Sequence, residues 1–238
     1  MTSFDLPAFG FLPTFLILSA IMVVRYFVLA GSMHLLRGRL GTPIEPGAVD
    51  GAMVRRDIKW SVLSSLVFAL AGTVLIFLWR AGLTKIHTGP VTALSLLSLA
   101  AYLLIHDTYF YWTHVLMHRY AFSIHRAHHQ SRRPTAWTSF SFHPAEALIQ
   151  ALILPVLVVL VPIHWLLLLL FLLLMSVLGL LNHLGYELYP AFLERRFGLI
   201  SATHHQAHHR NITVNYGLYF TWWDHLMQTE SGGRFGKK

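Results

Sequence analysis

Apolar residues crowd into four stretches of the chain, and histidines, arginines and other polar residues fill the segments between them. A helix needs roughly 20 mostly apolar residues to cross about 30 Å of hydrocarbon. The first stretch runs from about Phe11 to Met33, with Arg25 as its one charge; the second covers about Trp60 to Leu78 and the third about Val91 to Phe110. The fourth, Ala147 to Leu181, is too long for one crossing. Pro162, in Val161-Pro-Ile-His164, divides it into a helical hairpin, because proline removes a helix donor and clashes with the preceding turn. No internal repeat or low-complexity linker interrupts the pattern, and Gly41 to Gly51 reads as an ordinary loop. The expected fold is all-α: a polytopic membrane bundle of about four transmembrane helices with a histidine-rich helical cap. Residues 1–90 form the N-terminal transmembrane helices and loop, and residues 91–238 form a catalytic domain that includes the membrane hairpin 147–181.

Charge orients this bundle. Arg37, Arg39, Arg55, Arg56 and Lys59 lie between the first and second stretches. Arg119, Arg126, Arg132 and Arg133 lie between the third and fourth, and Arg195, Arg196, Arg210, Arg234, Lys237 and Lys238 follow the fourth. Only three basic residues, Arg25, Arg80 and Lys85, fall elsewhere. With the N-terminus outside, all three basic segments face the cytoplasm, as the bias of Lys and Arg toward cytoplasmic loops requires. The first apolar run follows Asp5, not a basic segment, and reads as a retained span. Lys237-Lys238 occupy the last two positions, where they do not form a dilysine retrieval signal. The cell inner membrane is therefore the expected location, with the endoplasmic reticulum as the alternative.

Composition changes the picture in two ways. Only 12% of residues are charged, 55% are hydrophobic and the mean hydropathy is +0.55, against about 25% charged in a soluble domain. The net charge of +8 therefore reflects basic flanks of membrane spans, and nucleic acid is not an expected partner. Cysteine is absent, which excludes disulfides, thiolate metal sites and cysteine nucleophiles. Histidine, by contrast, occurs sixteen times.

Nine of these histidines are patterned. His114 and His118 stand four apart; His125, His128 and His129 form an H-x-x-H-H motif that His205, His208 and His209 repeat; His183 stands alone in Asn182-His-Leu-Gly-Tyr-Glu187. Residues three and four apart on a helix share a face, so each motif points its imidazoles one way. Clustered imidazoles repel once protonated, whereas neutral imidazole is a strong ligand for iron, zinc, copper and nickel. From Val91 to His118 a continuous helix would measure about 42 Å, about 12 Å more than the hydrocarbon, which carries His114 and His118 beyond the cytoplasmic surface. All four motifs then meet on one side. Nine imidazoles exceed the needs of one ion and suit two of coordination five or six. The carboxylate-rich ligand set of soluble di-iron bundles is missing. His34, His87, His164 and His225 read as interfacial or structural residues.

Asp107 to His118 (D-T-Y-F-Y-W-T-H-V-L-M-H), both H-x-x-H-H boxes, Asn182-His183, Asn215-Tyr-Gly217 and Thr221-Trp-Trp-Asp224 together resemble the fatty acid hydroxylase/sterol desaturase superfamily. The resemblance spans about residues 100–230 and implies a membrane di-iron oxygenase that uses O2 and two electrons to hydroxylate or desaturate a lipid, such as a fatty acyl chain or sterol. It carries over to His114, His118, His125, His128, His129, His183, His205, His208 and His209 as ligands of two iron ions, with zinc able to replace iron in purified protein. Glu187 stands where the family often has a further histidine, so it either ligates metal or supports a ligand, and His204 competes with His205. Asp107 and Asp224 are candidates to accept the second N–H of a ligating imidazole. Glu146 reads as a helix-start charge. Trp112, Trp137, Trp222 and Trp223 are expected in the belt at the bilayer surface.

No haem domain or dinucleotide fingerprint is evident, so the electrons are expected from a separate donor protein. A membrane di-zinc hydrolase and a non-enzymatic metal-handling membrane protein are the alternative functions. A hydrolase would bring bridging carboxylates, and a transporter would place ligands within its spans.

Overall fold

The computed structural model describes residues 9–230; Asp5, Arg234, Lys237 and Lys238 lie outside that range. The long helices form where the apolar stretches predict them. They are α1 (Phe11–Leu36), α2 (Gly51–Arg80), α3 (Ala93–Tyr120), α5 (Pro144–Leu160) and α6 (Trp165–Asn182), with the short α4 (Phe122–His129) between α3 and α5. Beyond α6 lie α7 (Ala191–Phe197), α8 (Ala202–Arg210) and α9 (Trp222–Met227). Four helices, α1, α2, α3 and α6, are long and apolar enough to cross a membrane; α5 is shorter, at 17 residues.

Local chemistry sets the boundaries. The Asp50 side chain accepts from the Ala52 N–H at 2.8 Å and starts α2 nine residues before its apolar stretch, while Thr92 and Ser95 form a reciprocal capping box on α3. The predicted break at Pro162 separates α5 from α6, and His164 caps α6 through Leu166.

Two ends can be distinguished from contacts alone. At one end, β1 (Ile86–His87), in the loop after α2, pairs in parallel with β2 (Ile163–His164), in the turn between α5 and α6. The Arg80 guanidinium donates to the Phe9 carbonyl there, and the Tyr102 hydroxyl donates to the Val161 carbonyl. The opposite end gathers the loop after α1, the segment between α3 and α5, and everything after α6. Glu45 ties Arg133 to Arg210 at 2.9 Å each, and Ile44 donates to the Gly185 carbonyl. The described basic residues of the three cationic segments therefore share one end, and His87 and His164 occupy the other.

A buried carboxylate organises that second end. Asp57 in α2 is fully buried and accepts from the hydroxyls of Ser131, Thr138 and Ser141. The 131–141 segment is thereby pinned against α2. Tyr26 of α1 and Ser61 of α2 both donate to the Trp137 carbonyl, and Tyr26 packs edge-on to Trp137 and Phe140.

Candidate metal centre

All nine patterned histidines converge at this end, in two adjoining groups. His114, His118, His125, His129 and His208 form one; His128, His183, His205 and His209 form the other, and within each group one ring nitrogen per residue lies within 4.8 Å of the rest. Each H-x-x-H-H motif feeds both groups, so its three imidazoles do not all point one way as the spacing predicts. On α4, His125 and His129, four apart, face the first group and His128 the second; on α8, His208 faces the first and His205 and His209, again four apart, the second. The interleaving follows from helical spacing, since residues four apart overlie one another while the residue between points about a hundred degrees away.

The outward nitrogens fix the tautomers. Nδ1 of His114 meets the Tyr216 carbonyl at 2.8 Å, that of His128 the Ser141 carbonyl at 3.3 Å, that of His183 the Gly179 carbonyl at 2.7 Å and that of His208 the Val214 carbonyl at 2.6 Å. A carbonyl only accepts, so each of these Nδ1 atoms carries the proton and each Nε2 carries a lone pair. In the second group, Nε2 of His183 and Nε2 of His128 then confront each other at 3.1 Å, lone pair to lone pair. In the first, Nε2 of His114 stands 3.0 Å from Nε2 of His125, whose Nδ1 meets the Glu146 carboxylate at 2.7 Å. Two acceptors at that distance repel unless a cation lies between them. Nitrogens bound at about 2.0–2.1 Å and at right angles to each other would be about 3 Å apart. The observed 2.9–3.2 Å spacings match that arrangement, so the donor set fits a metal ion in each group.

Burial favours the ligating form. His125, His128, His205 and His209 are held well below the ordinary imidazole range, first by loss of solvent and then by repulsion from neighbouring imidazoles. His183 falls to about 4 and His208 to about 3, both chiefly by burial. Neutral imidazole is the species a metal binds.

The supporting carboxylates differ from expectation. Among the described residues Asp107 reaches no imidazole: it accepts from the backbone N–H groups of Tyr219 and Phe220, at 2.8 and 3.4 Å. Asp224 accepts from the N–H groups of Tyr216 and Gly217 and from the Thr229 hydroxyl. It therefore positions the backbone whose Tyr216 carbonyl holds His114, and acts on that ring only through the chain. Gly217 is required there, because a Cβ would meet the Phe220 carbonyl at 2.6 Å and the Asp224 carboxylate at 2.9 Å. Glu146 stands in the first turn of α5, as expected of a helix-start charge, and is in addition buried and paired with His125. The His125–Glu146 contact joins residues 21 apart, and only the return of α5 beneath α4 brings them together.

Glu187 also lies outside both groups. Its carboxylate accepts from the Thr203 N–H and hydroxyl and from the Tyr189 N–H, securing the start of α8. His204 points away from its neighbour His205, toward Glu194 at 3.6 Å and Asp224 at 3.7 Å. Burial alone would lower His204, but the two carboxylates outweigh it and push it up to about 9. Asp224 is conversely held below the usual carboxylate range: burial opposes this, and His204, Thr229 and the Gly217 N–H prevail. Of the four tryptophans expected at the bilayer surface, Trp112 and Trp222 are exposed. Trp223 stacks on Tyr111, and Trp137 packs against Tyr26 and Phe27.

A family model described as fatty acid hydroxylase matches residues 99–229. The chain is 30% identical to human lathosterol oxidase over 189 residues, covering 76% of this chain and 61% of that protein. It is 34% identical to Delta(7)-sterol 5(6)-desaturase ERG3B of Gibberella zeae over 131 residues, covering 54% of this chain and 40% of that protein. It is 30% identical to a zebrafish (Danio rerio) cholesterol 25-hydroxylase-like protein over 192 residues, covering 78% and 75%. The chain thus spans only about 40–61% of the length of the first two of these relatives. No solved structure matches it.

Proposed function

The chain belongs to the fatty acid hydroxylase family, and from that premise we propose that it is an integral-membrane oxidoreductase that hydroxylates or desaturates a lipid. One ion would be held by His114, His118, His125, His129 and His208, and a second by His128, His183, His205 and His209. Iron is the biological metal in this reading, with zinc able to occupy the same imidazoles in purified protein. Bound iron would supply O2 activation with two electrons, the chemistry needed either to place one oxygen atom on a C–H carbon or to remove two hydrogens. The observation that carries the reading is the set of buried imidazole nitrogens facing one another about 3 Å apart, in both groups, at one end of a membrane bundle.

The chain's own residues then have definite tasks. The carbonyls of Tyr216, Ser141, Gly179 and Val214 and the Glu146 carboxylate keep Nδ1 protonated and turn Nε2 inward. Asp57 and Asp224 hold two of those backbone segments in place. The spans present the site at the bilayer surface, where a lipid can enter sideways. Residues 91–238 form the catalytic domain, while residues 1–90 supply spans and the Asp57 anchor. The site faces the cytoplasm, most simply at the cell inner membrane, and a separate protein donates the electrons. The family description and the names of the relatives keep both acyl-chain lipids and sterols among the candidate substrates.

Comparison of the lipids of cells carrying the gene with those of cells carrying His128→Ala tests this proposal. A lipid that gains one oxygen atom or loses two hydrogens only with the intact gene is the expected result. Unchanged lipids in an organism that supplies both substrate and donor would reject it.

A further inference from the structure

The two histidine groups share an opening between α4 and α8. A cavity of about 520 Å³ lies there, within the range of small-molecule sites, and its wall includes His129 of the first group and His209 of the second. Three arginines, Arg126, Arg132 and Arg210, line the same cavity, and Phe122 and Ile212 supply apolar surface. Among the described residues, no acidic one lines it. A second cavity of about 300 Å³ adjoins it through Arg132 and Arg210 and adds Arg133 and Glu45.

The charges here are unequally committed. Glu45 already pairs with Arg133 and Arg210, whereas Arg126 and Arg132, both exposed, have no acidic partner among the described residues. A guanidinium matches the geometry of a carboxylate or phosphate, often through two parallel hydrogen bonds. Cationic walls around a concave, partly apolar surface also concentrate anions. An anionic group seated on Arg126 and Arg132 would leave an attached chain against Phe122 and Ile212, beside His129 and His209. The cavity is concave and small, which suits one end of a small molecule better than the face of a protein.

We propose that this cavity receives the anionic end, a carboxylate or phosphate, of an apolar-chain substrate, with Arg126 and Arg132 as its receptors. The inference deepens the proposed function by naming a substrate class, and rests on it only for the step from ligand to substrate. It makes Arg126 and Arg132 binding residues that set specificity, separate from the imidazoles.

Calorimetric titration of the full chain in phosphatidylcholine nanodiscs tests it with four probes: dodecyl phosphate, laurate, dodecanol and inorganic phosphate. Dodecyl phosphate and laurate should bind, and the double variant Arg126→Gln/Arg132→Gln should weaken both by about tenfold or more, the loss expected for charged hydrogen bonds. Dodecanol should bind more weakly and be indifferent to the substitution. The double lysine variant, which keeps the charge and loses the fork, should recover part of the affinity. Equal affinities for dodecanol and dodecyl phosphate, or anion binding unaffected by the double glutamine variant, would overturn the proposal. Inorganic phosphate binding as tightly as dodecyl phosphate would overturn the assignment to a lipid end. Capture of an acidic electron-transfer protein that is lost in the glutamine variant while probe binding persists would overturn it in favour of a docking surface. Arginine-dependent probe binding in a chain that takes up no metal would support this site while rejecting the proposed function.

Discussion

Replacing Glu146 separates the support of a proposed metal ligand from the ligand itself. Glu146 and His125 are both 1% exposed, and the carboxylate accepts the Nδ1 proton at 2.7 Å. Glutamine keeps an acceptor oxygen at nearly the same place and removes the charge. A hydrogen bond to a charged group contributes about 1.5–3 kcal/mol and a neutral one about 0.5–1.5, so Glu146→Gln should cost about 1 kcal/mol, or roughly fivefold in affinity. Leucine removes the acceptor altogether and leaves a buried N–H unsatisfied. The loss then becomes about 1–3 kcal/mol, matching the 10–100-fold weakening typical when the partner of a ligating histidine is removed. Only the group containing His125 should respond, because Glu146 touches no imidazole of the other. Competition titration of the purified chain against a metal chelator reads the two sites as two steps. One step should move by roughly fivefold in the glutamine variant and by 10–100-fold in the leucine variant, with the other step fixed. If both ions bound the leucine variant with unaltered affinity, the positioning role of Glu146 would be wrong.

Three further outcomes follow from the same geometry. Glu187→Ala should leave metal content intact while costing about 1–2 kcal/mol of stability through its lost bonds to Thr203, visible as a lower thermal midpoint; a loss of metal would make Glu187 a ligand. For the metal-free chain, His183 and His208 titrate near 4 and 3 when folded against about 6.5 when unfolded, and burial depresses His125, His128, His129, His205 and His209 as well. Stability from these depressed groups is fully present above about 6.5 and is lost as pH falls toward the folded values, so the unfolding free energy should fall between about pH 7 and 5 by up to about 1.4 kcal/mol per pH unit for each imidazole, read as a falling thermal midpoint; a flat profile would contradict the burial of neutral rings. In intact cells, an impermeant thiol reagent should label Thr88→Cys and spare Thr42→Cys, both exposed positions in a chain that lacks cysteine; the reverse pattern would invert the topology.

The parts legible in the sequence are those governed by local rules. Hydropathy located the long helices and Pro162 divided the hairpin; the spacing predicted that His125, His128 and His129 point one way, but only His125 and His129, four apart, do so, and His128 turns to the second group. The parts that were not legible depend on distant segments meeting. Glu146 sits at a helix start, as its sequence position suggests, yet its burial against His125 arises from the packing of α5 beneath α4. Asp107 precedes His114 by two helical turns, the spacing that made it a candidate partner, but its carboxylate is taken by Tyr219 and Phe220 from more than a hundred residues downstream. Asp57 gave no signal at all: it lies in a mixed polar run before an apolar stretch, and its role depends on three hydroxyls some 74–84 residues away. The choice between His204 and His205 was likewise not a matter of spacing. Asp224 and Glu194 draw one ring away, and the helix turns the other toward His183.

The central claim is that two separate groups of neutral imidazoles each hold one ion, and metal content tests it most directly. The purified full chain, reconstituted anaerobically with ferrous iron and freed of excess, should carry close to two ions per chain by elemental analysis. His128→Ala, which removes a nitrogen from the second group alone, should lower that value toward one. A fully loaded wild-type chain holding one ion or none would contradict the account.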